Sequence, residues 1–172
     1  MNIKKLVKKH LDGTYDVSVE VVLFSRDQKK ICLVLEKGGK KTKGIFSFYK
    51  TRAWGNPGGG VHTGETPIEG AIREVEEETG FPKKLFYIHP LPVSYNIEGE
   101  ERRPHHKILF VGKILCDENE FPFQINPVGD TIARKFVYVS ELPNPTKVWK
   151  LNGFEIFRSD LEHILENQNA TL

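Results

Sequence analysis

The feature that most constrains this chain is the stretch of residues 65–82, because both of its ends carry signals for a helix. Thr66 suits the N-cap, Pro67 suits the first helical position, and Glu69 completes a Thr-x-x-Glu capping box. Gly80 can adopt the left-handed conformation that ends many helices, and the proline two positions later blocks continuation. The residues that recur at helical spacing between these ends are Ile68, Ala71, Ile72, Val75 and Thr79. The stretch therefore predicts an amphipathic helix with a defined beginning and end.

Four glutamates crowd the C-terminal end of this predicted helix, where negative charge is unfavourable. They are Glu74, Glu76, Glu77 and Glu78. The helix dipole is negative at that end, and like charges one turn apart repel each other by a few tenths of a kcal/mol. At about 100° per residue, Glu74, Glu77 and Glu78 fan over one face, whereas Glu76 falls on the other flank and is expected to be solvated. The three converging carboxylates need a positive partner.

Two kinds of cation can supply that partner. Arg73 lies one turn from both Glu69 and Glu77, so it can pair with either and hold a carboxylate in place. Hard divalent cations such as Mg²⁺ or Mn²⁺ prefer oxygen ligands, which carboxylates provide. A solvated acidic face is the alternative, but it leaves the glycines at 58–60 unexplained, since these permit a tight turn and a close backbone approach. The pattern favours a divalent metal site.

At these residues the sequence resembles the signature of the Nudix hydrolases, G-x5-E-x7-R-E-U-x-E-E-x-G-U, where U is apolar. The matching residues are Gly59, Glu65, Arg73, Glu74, Val75, Glu77, Glu78, Gly80 and Phe81. The upstream "AWGNPGG" with Trp54 also resembles the approach to that motif. The resemblance implies an α/β/α sandwich with a mixed β-sheet, and Mg²⁺-dependent hydrolysis of a nucleoside diphosphate linked to another group.

The resemblance also implies roles for individual residues. Glu74 and Glu78 would be the principal metal ligands, Glu77 a further or water-bridged ligand, and the Gly59 carbonyl another ligand. Arg73 would orient a glutamate, and Glu65 would support the loop and the metal cluster. The general base is not fixed in this family, and it is sometimes a glutamate of the motif, such as Glu77 or Glu78.

A residue on a later loop is a second candidate for the general base. Asp130 lies six residues before Phe136, where some Nudix relatives carry a glutamate on that loop. An ordinary turn aspartate ahead of a strand is the alternative, because Asp is shorter than Glu. Glu98, Glu100 and Glu101, at an expected hairpin tip, are weaker candidates.

Two polar regions are candidates for binding the substrate. Residues 37–52 form an expected long loop that is basic and carries Phe46 and Phe48, which suits phosphate contact and base stacking, although a solvated loop is equally compatible. Arg102 and Arg103 precede a predicted strand and can meet a distal phosphate. A small nucleotide substrate is expected, an RNA end is possible, and the oligomeric state is open.

The rest of the sequence predicts one domain over residues 1–172. Its 172 residues are 38% hydrophobic and 28% charged, and the net charge of +2 gives no support for bulk binding to nucleic acid or membrane. Cys32 and Cys116 lie in apolar runs, which favours free thiols in a reducing compartment. No run reaches membrane-spanning length, so a cytoplasmic protein is expected.

Strands and helices are expected to alternate along the chain. The predicted strands cover residues 16–25, 30–37, 85–95, 106–115 and 132–139. A short basic helix at 2–11 lies within an N-terminal extension, residues 1–15, and a final helix covers 155–167. This order predicts a mixed sheet covered by helices.

Two other functions stay open: a catalytically silent nucleotide-binding or adaptor module on the same fold, and a diphosphate isomerase.

Overall fold

The computed structural model describes residues 16–43, 46–50, 54–98, 105–124, 130–141, 149–151 and 154–156. Helix α1 covers Pro67–Thr79, and short 3₁₀ turns cover Lys83–Leu85 and Val139–Glu141. The strands are β1 Asp16–Phe24, β2 Lys30–Glu36, β3 Gly39–Lys43, β4 Phe46–Lys50, β5 Trp54–Gly55, β6 Gly58–Gly60, β7 Phe86–Ile88, β8 Ser94–Glu98, β9 His105–Ile114, β10 Thr131–Tyr138, β11 Trp149–Leu151 and β12 Phe154–Ile156.

The main sheet is mixed and has the order β10-β2-β1-β9-β7, with β5 paired to β2, β6 to β1 and β8 to β9. Strands β1 and β9 run parallel along their whole length, whereas the other pairs are antiparallel. Helix α1 packs on β1 and β6. The predicted α/β architecture with a mixed sheet is therefore confirmed. The predicted helix at 2–11, the extension at 1–15 and residues 157–167 of the predicted final helix lie outside the described residues.

Strand β1 is buried on both of its faces, which explains why its sequence is an almost continuous apolar run. Val19 and Val21 point to a core that also contains Val75 of α1. Val22 and Phe24 point to a second core on the opposite face of the sheet. Successive residues of a strand face opposite sides, so one strand serves both cores.

The segment between Trp54 and Gly60 occupies a gap between β1 and β2. These two strands pair only at Phe24 and Ile31 and are separated beyond that point. Within this gap, β5 pairs with β2 and β6 pairs with β1. The backbone of Val21 also donates to the Pro57 carbonyl at 2.9 Å. The glycine segment is thus fixed by the sheet, beside helix α1.

Three predicted elements differ from the observed ones. The strand expected at 85–95 is two strands, β7 and β8, because Pro90 and Pro92 lack the N–H that a continuous ladder needs. The loop expected at 37–52 contains the antiparallel hairpin β3–β4, in which Lys41 opposes Phe48. The final helix was predicted to include residues 155–156, but these lie in β12, which pairs with β11. The Asn-Gly sequence between β11 and β12 is typical of two-residue hairpin turns, and this signal was missed.

Both cysteines, Cys32 and Cys116, are buried and free, as the sequence predicts. Burial raises the pKa of the Cys32 thiol to about 12, so this group is protonated and unreactive at neutral pH. Among the described residues, no helix is long and apolar enough to cross a membrane.

Candidate active site

Helix α1 begins as its sequence predicts. The Thr66 side chain accepts from the Glu69 backbone N–H, and the Glu69 carboxylate accepts from the Thr66 N–H at 2.8 Å. Gly80 has a φ of 74° and donates its N–H to the Glu76 carbonyl at 3.0 Å. The predicted capping box and left-handed C-terminal residue are both confirmed.

The glycine segment comes unusually close to this helix. A Cβ atom added to Gly59 would lie 2.4 Å from Oε1 of Glu74, and one added to Gly58 would lie 2.3 Å from the Val19 carbonyl oxygen. Any side chain at these two positions would push the strand away from the helix or from β1. Glycine is required here because the backbone has to pass directly beside a carboxylate.

Arg73 is the positive partner of the acidic face. Its Nε and Nη2 donate to the two oxygens of Glu65 at 2.8 and 3.1 Å. Its Nη1 donates to Glu74 Oε1 at 2.8 Å and to Glu77 Oε2 at 3.2 Å, and Nη2 also donates to the Gly60 carbonyl at 2.8 Å. These bonds match the five N–H donors of a guanidinium. The predicted pairing with Glu77 is confirmed, whereas Glu69 is engaged in the capping box instead.

The charges around Arg73 shift one another's pKa values. The hydrogen bonds to Glu65 are the largest cause that raises the pKa of Arg73. The same bonds lower the pKa of Glu65, against the effect of its burial. Glu65 also accepts from the His62 N–H at 2.9 Å, which joins the loop after β6 to the helix. Glu65 therefore supports the loop while it fixes Arg73.

Glu74 and Glu78 differ in their surroundings. Glu74 is buried, at 9% exposure, and this burial raises its pKa in spite of the bond from Arg73. Glu78 accepts from the Gly58 N–H at 2.8 Å and from the Thr131 hydroxyl at 3.3 Å. The side chain of Glu77 is 53% exposed and faces solvent. Thus the carboxylate of Glu74 is desolvated, that of Glu78 is held by the protein, and that of Glu77 is accessible to solvent.

The donor set suits a hard divalent cation, although its oxygens are engaged by protein groups. Within the described residues, no group of three or more His, Cys, Asp or Glu side chains has the spacing of a metal site. The reason is visible in the contacts: Arg73 occupies the space between Glu74 and Glu77, and Glu78 is turned toward Gly58. Carboxylates that converge on one cationic nitrogen are also the oxygen ligands that Mg²⁺ and Mn²⁺ prefer. The residues therefore fit such an ion.

A family model described as NUDIX domain matches residues 14–155 of the chain. The chain belongs to the Nudix family. Its signature residues from Gly59 to Phe81 are the ones that form the last strand before α1, the helix itself and the turn that follows. Nudix proteins use divalent metal ions, which agrees with the donor set.

Relatives of this Nudix chain include an RNA pyrophosphohydrolase from Zymomonas mobilis, 49% identical over 122 residues, covering 64% of the chain and 78% of the relative. Among solved structures, a C. elegans Ap4A hydrolase matches with a TM-score of 0.59 and 16% identity, covering 90% of this chain and 98% of that one. An ADP-ribose pyrophosphatase from Streptococcus suis gives a TM-score of 0.56 and 21% identity, covering 90% and 92%. The Nudix chain is a hydrolase of phosphorus-containing acid anhydrides.

The predicted site residues of the Nudix chain are brought together only in part. Asp130 is exposed, and its carbonyl accepts from the Lys37 N–H at 2.6 Å. It directly precedes Thr131, which contacts Glu78, so it lies at the edge of the acidic face. Phe46 and Phe48 lie in β4, and their side chains fall outside what the structure describes, as do Arg102 and Arg103 entirely.

Two residues that contact the acidic helix were not predicted, Thr131 and Arg134 of β10. Thr131 reaches Glu78, and Arg134 Nη1 donates to the Thr79 carbonyl at 2.6 Å. Neither residue belongs to a motif, and both lie more than 50 positions from their partners in the sequence. Nothing in a single sequence indicates such a pairing, because it depends on where β10 joins the sheet.

Proposed function

We propose that this Nudix hydrolase cleaves the pyrophosphate bond of a nucleoside diphosphate linked to another moiety, with Mg²⁺ or Mn²⁺ as its cofactor. The convergence of Glu74 and Glu77 on one guanidinium nitrogen, with Glu78 one turn from Glu74, is the observation that carries this proposal. Glu74, Glu77 and Glu78 would hold the ion, together with the carbonyl of Gly59. When bound, the ion would neutralise the pyrophosphate oxygens and make water a better nucleophile.

The protein's own residues would position the carboxylates and accept the proton of the attacking water. Arg73 holds Glu65, Glu74 and Glu77 at fixed positions, so it would orient the ligands. Glu77 and Glu78 are candidates to accept the proton at a carboxylate oxygen, and Asp130 is a third candidate at the edge of the site. Glu77 is the most accessible of the motif carboxylates, which suits contact with a solvent molecule.

Substrate binding would involve the hairpin β3–β4 and the segment before β9. Residues 37–52 carry six Lys or Arg residues and no Asp or Glu, so this segment favours an anionic ligand. Its base, at Lys37, is bonded to Asp130 beside the acidic face. Phe46 and Phe48 would stack on a base, and Arg102 and Arg103 would contact a distal phosphate.

An RNA end is a second candidate substrate. The Zymomonas relative is named RNA pyrophosphohydrolase, and the basic segment at 37–52 suits a polyanion. A catalytically silent nucleotide-binding or adaptor module is the alternative function.

The free buried thiols support the expectation of a reducing compartment such as the cytoplasm.

The decisive experiment screens a panel that contains ADP-ribose, dinucleoside polyphosphates, nucleoside triphosphates and 5′-triphosphorylated RNA, with Mg²⁺, with Mn²⁺ and with EDTA. Product masses identify the bond that is cleaved, and reaction in H₂¹⁸O identifies the phosphorus that water attacks. We expect cleavage of a pyrophosphate bond that EDTA abolishes. Metal binding without cleavage of any substrate would favour the silent module, and RNA hydrolysis that falls steeply with salt would favour the RNA end.

The hairpin is tested with aromatic substitutions. We expect Phe46→Ala and Phe48→Ala to raise KM more than they lower kcat, because stacking contributes mainly uniform binding. Tyr87→Ala is the matched control, since Tyr87 is an exposed aromatic residue on β7. Equal constants in all four proteins would exclude the hairpin from substrate binding.

A further inference from the structure

We propose that Thr131 and Arg134 of β10 form a two-point clamp that positions the carboxylate of Glu78, and that a register shift in β10 makes this clamp possible. The two residues would be positioning residues, because they act through Glu78 and not on the substrate. The inference rests on the proposed function, since it assigns Glu78 to a metal site. The C-terminal end of helix α1 is held by β10, a strand from the other half of the chain.

The last turn of α1 has no positive residue of its own. All residues of this turn are described by the structure, and none of them is basic. Two of its glutamates, Glu77 and Glu78, add to the negative end of the dipole, and the terminal carbonyls need hydrogen-bond donors. Arg134 provides both a positive charge and a hydrogen-bond donor. Its guanidinium donates to the carbonyl of Thr79, the last helical residue, at 2.6 Å.

Arg134 is itself held firmly in place. Its guanidinium lies over the ring of Phe81, 4.0 Å from the ring centroid, and its Nη2 donates to the Phe121 carbonyl. Burial lowers the pKa of Arg134 relative to its usual value, but arginine stays charged. A stacked guanidinium with two backbone acceptors has little freedom to move. The end of the helix is therefore fixed relative to β10.

Thr131 provides the second point of the clamp. It is buried, at 3% exposure, and its hydroxyl contacts Oε1 of Glu78 at 3.3 Å. The other oxygen of Glu78 accepts from the Gly58 N–H. The carboxylate is thus held from two sides, by β6 and by β10, while Arg134 fixes the backbone one residue beyond it.

A regular strand could not place both residues on the helix. Residues three positions apart in a strand face opposite sides of the sheet. In β10 the register shifts, because Thr131 opposes Glu36 whereas Ala133 opposes Leu35, so Ile132 is an extra residue. An extra residue of this kind reverses the alternation and redirects a side chain, as bulges near active sites often do. As a result Thr131 and Arg134 both face α1.

The test uses Thr131→Val, Arg134→Met and Arg134→Lys, with Val139→Ala as the matched control. Val139 is a buried residue just after β10 that belongs to the core on the opposite face, so its truncation destabilises the fold without contact to α1. Binding of Mn²⁺ is measured by electron paramagnetic resonance. Hydrogen exchange at the Gly80 and Phe81 amides of the metal-free proteins reports on the end of the helix.

We expect Arg134→Met to weaken Mn²⁺ binding about 10-fold, as is typical when a residue that orients a metal ligand is lost. Thr131→Val should weaken it by a smaller factor, and Arg134→Lys should recover part of the loss. The kcat should fall while KM changes little, and Gly80 should exchange faster only in the Arg134 variants. Val139→Ala should reduce stability and leave Mn²⁺ affinity unchanged.

Several outcomes would overturn the clamp. The clamp would be contradicted if Thr131→Val and Arg134→Lys both bound Mn²⁺ as tightly as the parent. These two variants decide the matter if Arg134→Met does not fold. Equal loss of affinity in Val139→Ala would show a general effect of stability. Absence of Mn²⁺ binding by the parent would overturn the proposed metal site and the clamp together, whereas normal parental binding with unaffected variants would overturn the clamp alone.

Discussion

The first turn of helix α1 is stabilised by residues within the same four-residue stretch, whereas the Glu78 carboxylate of its last turn is held by residues from distant strands. Thr66 and Glu69 bond to each other's backbone N–H groups. At the other end, Glu78 depends on Gly58 and on Thr131. The N-terminal end is thus a local structure that any sequence with these residues can form. The C-terminal end is an assembled site, because the donors to Glu78 and to the Thr79 carbonyl come from distant strands.

The two ends of the helix are also expected to differ in what they contribute to the protein. The capping bonds between Thr66 and Glu69 do not involve Glu74, Glu77 or Glu78, so changes to this capping pair should affect stability and leave metal binding intact. The C-terminal half of the helix holds all three proposed carboxylate ligands, Glu74, Glu77 and Glu78, so changes there should affect metal binding most. Four predictions, ordered from the largest expected effect to the smallest, test this division.

The largest effect is expected at Glu78. Glu78→Gln keeps the shape but removes the charge, and it should lower kcat by at least about 100-fold, because a metal ion contributes several kcal/mol to such a reaction. Melting curves should show that Mg²⁺ stabilises the parent and hardly affects the variant, since only the parent gains binding energy. In EDTA the variant should melt at an equal or higher temperature. A variant clearly less stable than the parent in EDTA would mean that the bond to Gly58 outweighs the repulsion.

Arg73 should have the next largest effect, on the stability of the metal-free protein. Arg73→Gln leaves Glu65 and Glu74 partly buried without their cation, which should lower the free energy of unfolding by about 2 kcal/mol, because the groups are not fully buried. Urea denaturation in EDTA measures the loss. Arg73→Lys serves as the comparison, because it keeps the charge but not the geometry to reach three carboxylates. Identical stability of Lys and Arg at this position would show that charge alone matters.

The N-cap should give a smaller effect that is independent of metal. Thr66→Ala removes one side of the capping box and should cost about 1 kcal/mol of stability. The loss should be the same in EDTA and in saturating Mg²⁺, and kcat should stay near the parental value. A loss that appears only with Mg²⁺ would connect the two ends of the helix and contradict the division between them.

The pH dependence of stability should give the smallest effect. The pKa of Glu65 is lowered in the folded protein, so its contribution is present above its ordinary pKa of 4.5 and is lost as the pH falls through the folded value. Glu74 has a raised pKa, so it destabilises the fold at neutral pH, and this penalty disappears as the pH falls below the folded value.

Titration of metal-free stability in two variants separates these contributions. As the pH falls from 7 to 4.5, through the raised folded pKa of Glu74, the parent should gain stability relative to Glu74→Gln, because only the parent can protonate at that position. As the pH falls below 4.5, toward the lowered folded pKa of Glu65, the parent should lose stability relative to Glu65→Gln. Parallel stability curves for the parent and Glu74→Gln above pH 4.5 would show that burial of Glu74 has no energetic consequence.

The sequence alone determined the helix with its caps, the main strands and the family, because these depend on neighbouring residues or on a motif of fixed spacing. It also placed Glu74, Glu77 and Glu78 on one face, since helical geometry relates positions a turn apart. It did not reveal the β3–β4 hairpin or the break between β7 and β8. The hairpin depends on pairing partners, whereas the break is indicated in the sequence by Pro90 and Pro92, a signal that the predicted strand at 85–95 did not take into account.

Only the tertiary structure decided which groups hold the acidic face. Arg73 was expected to pair with Glu69 or Glu77, but it binds Glu65, Glu74 and Glu77, because the loop after β6 folds back toward the helix. The contacts from Thr131 and Arg134 depend on the position of β10 in the sheet and on one extra residue in that strand. The physical reason is range: caps and periodicity act over three or four residues, whereas these contacts form only when distant strands are brought together.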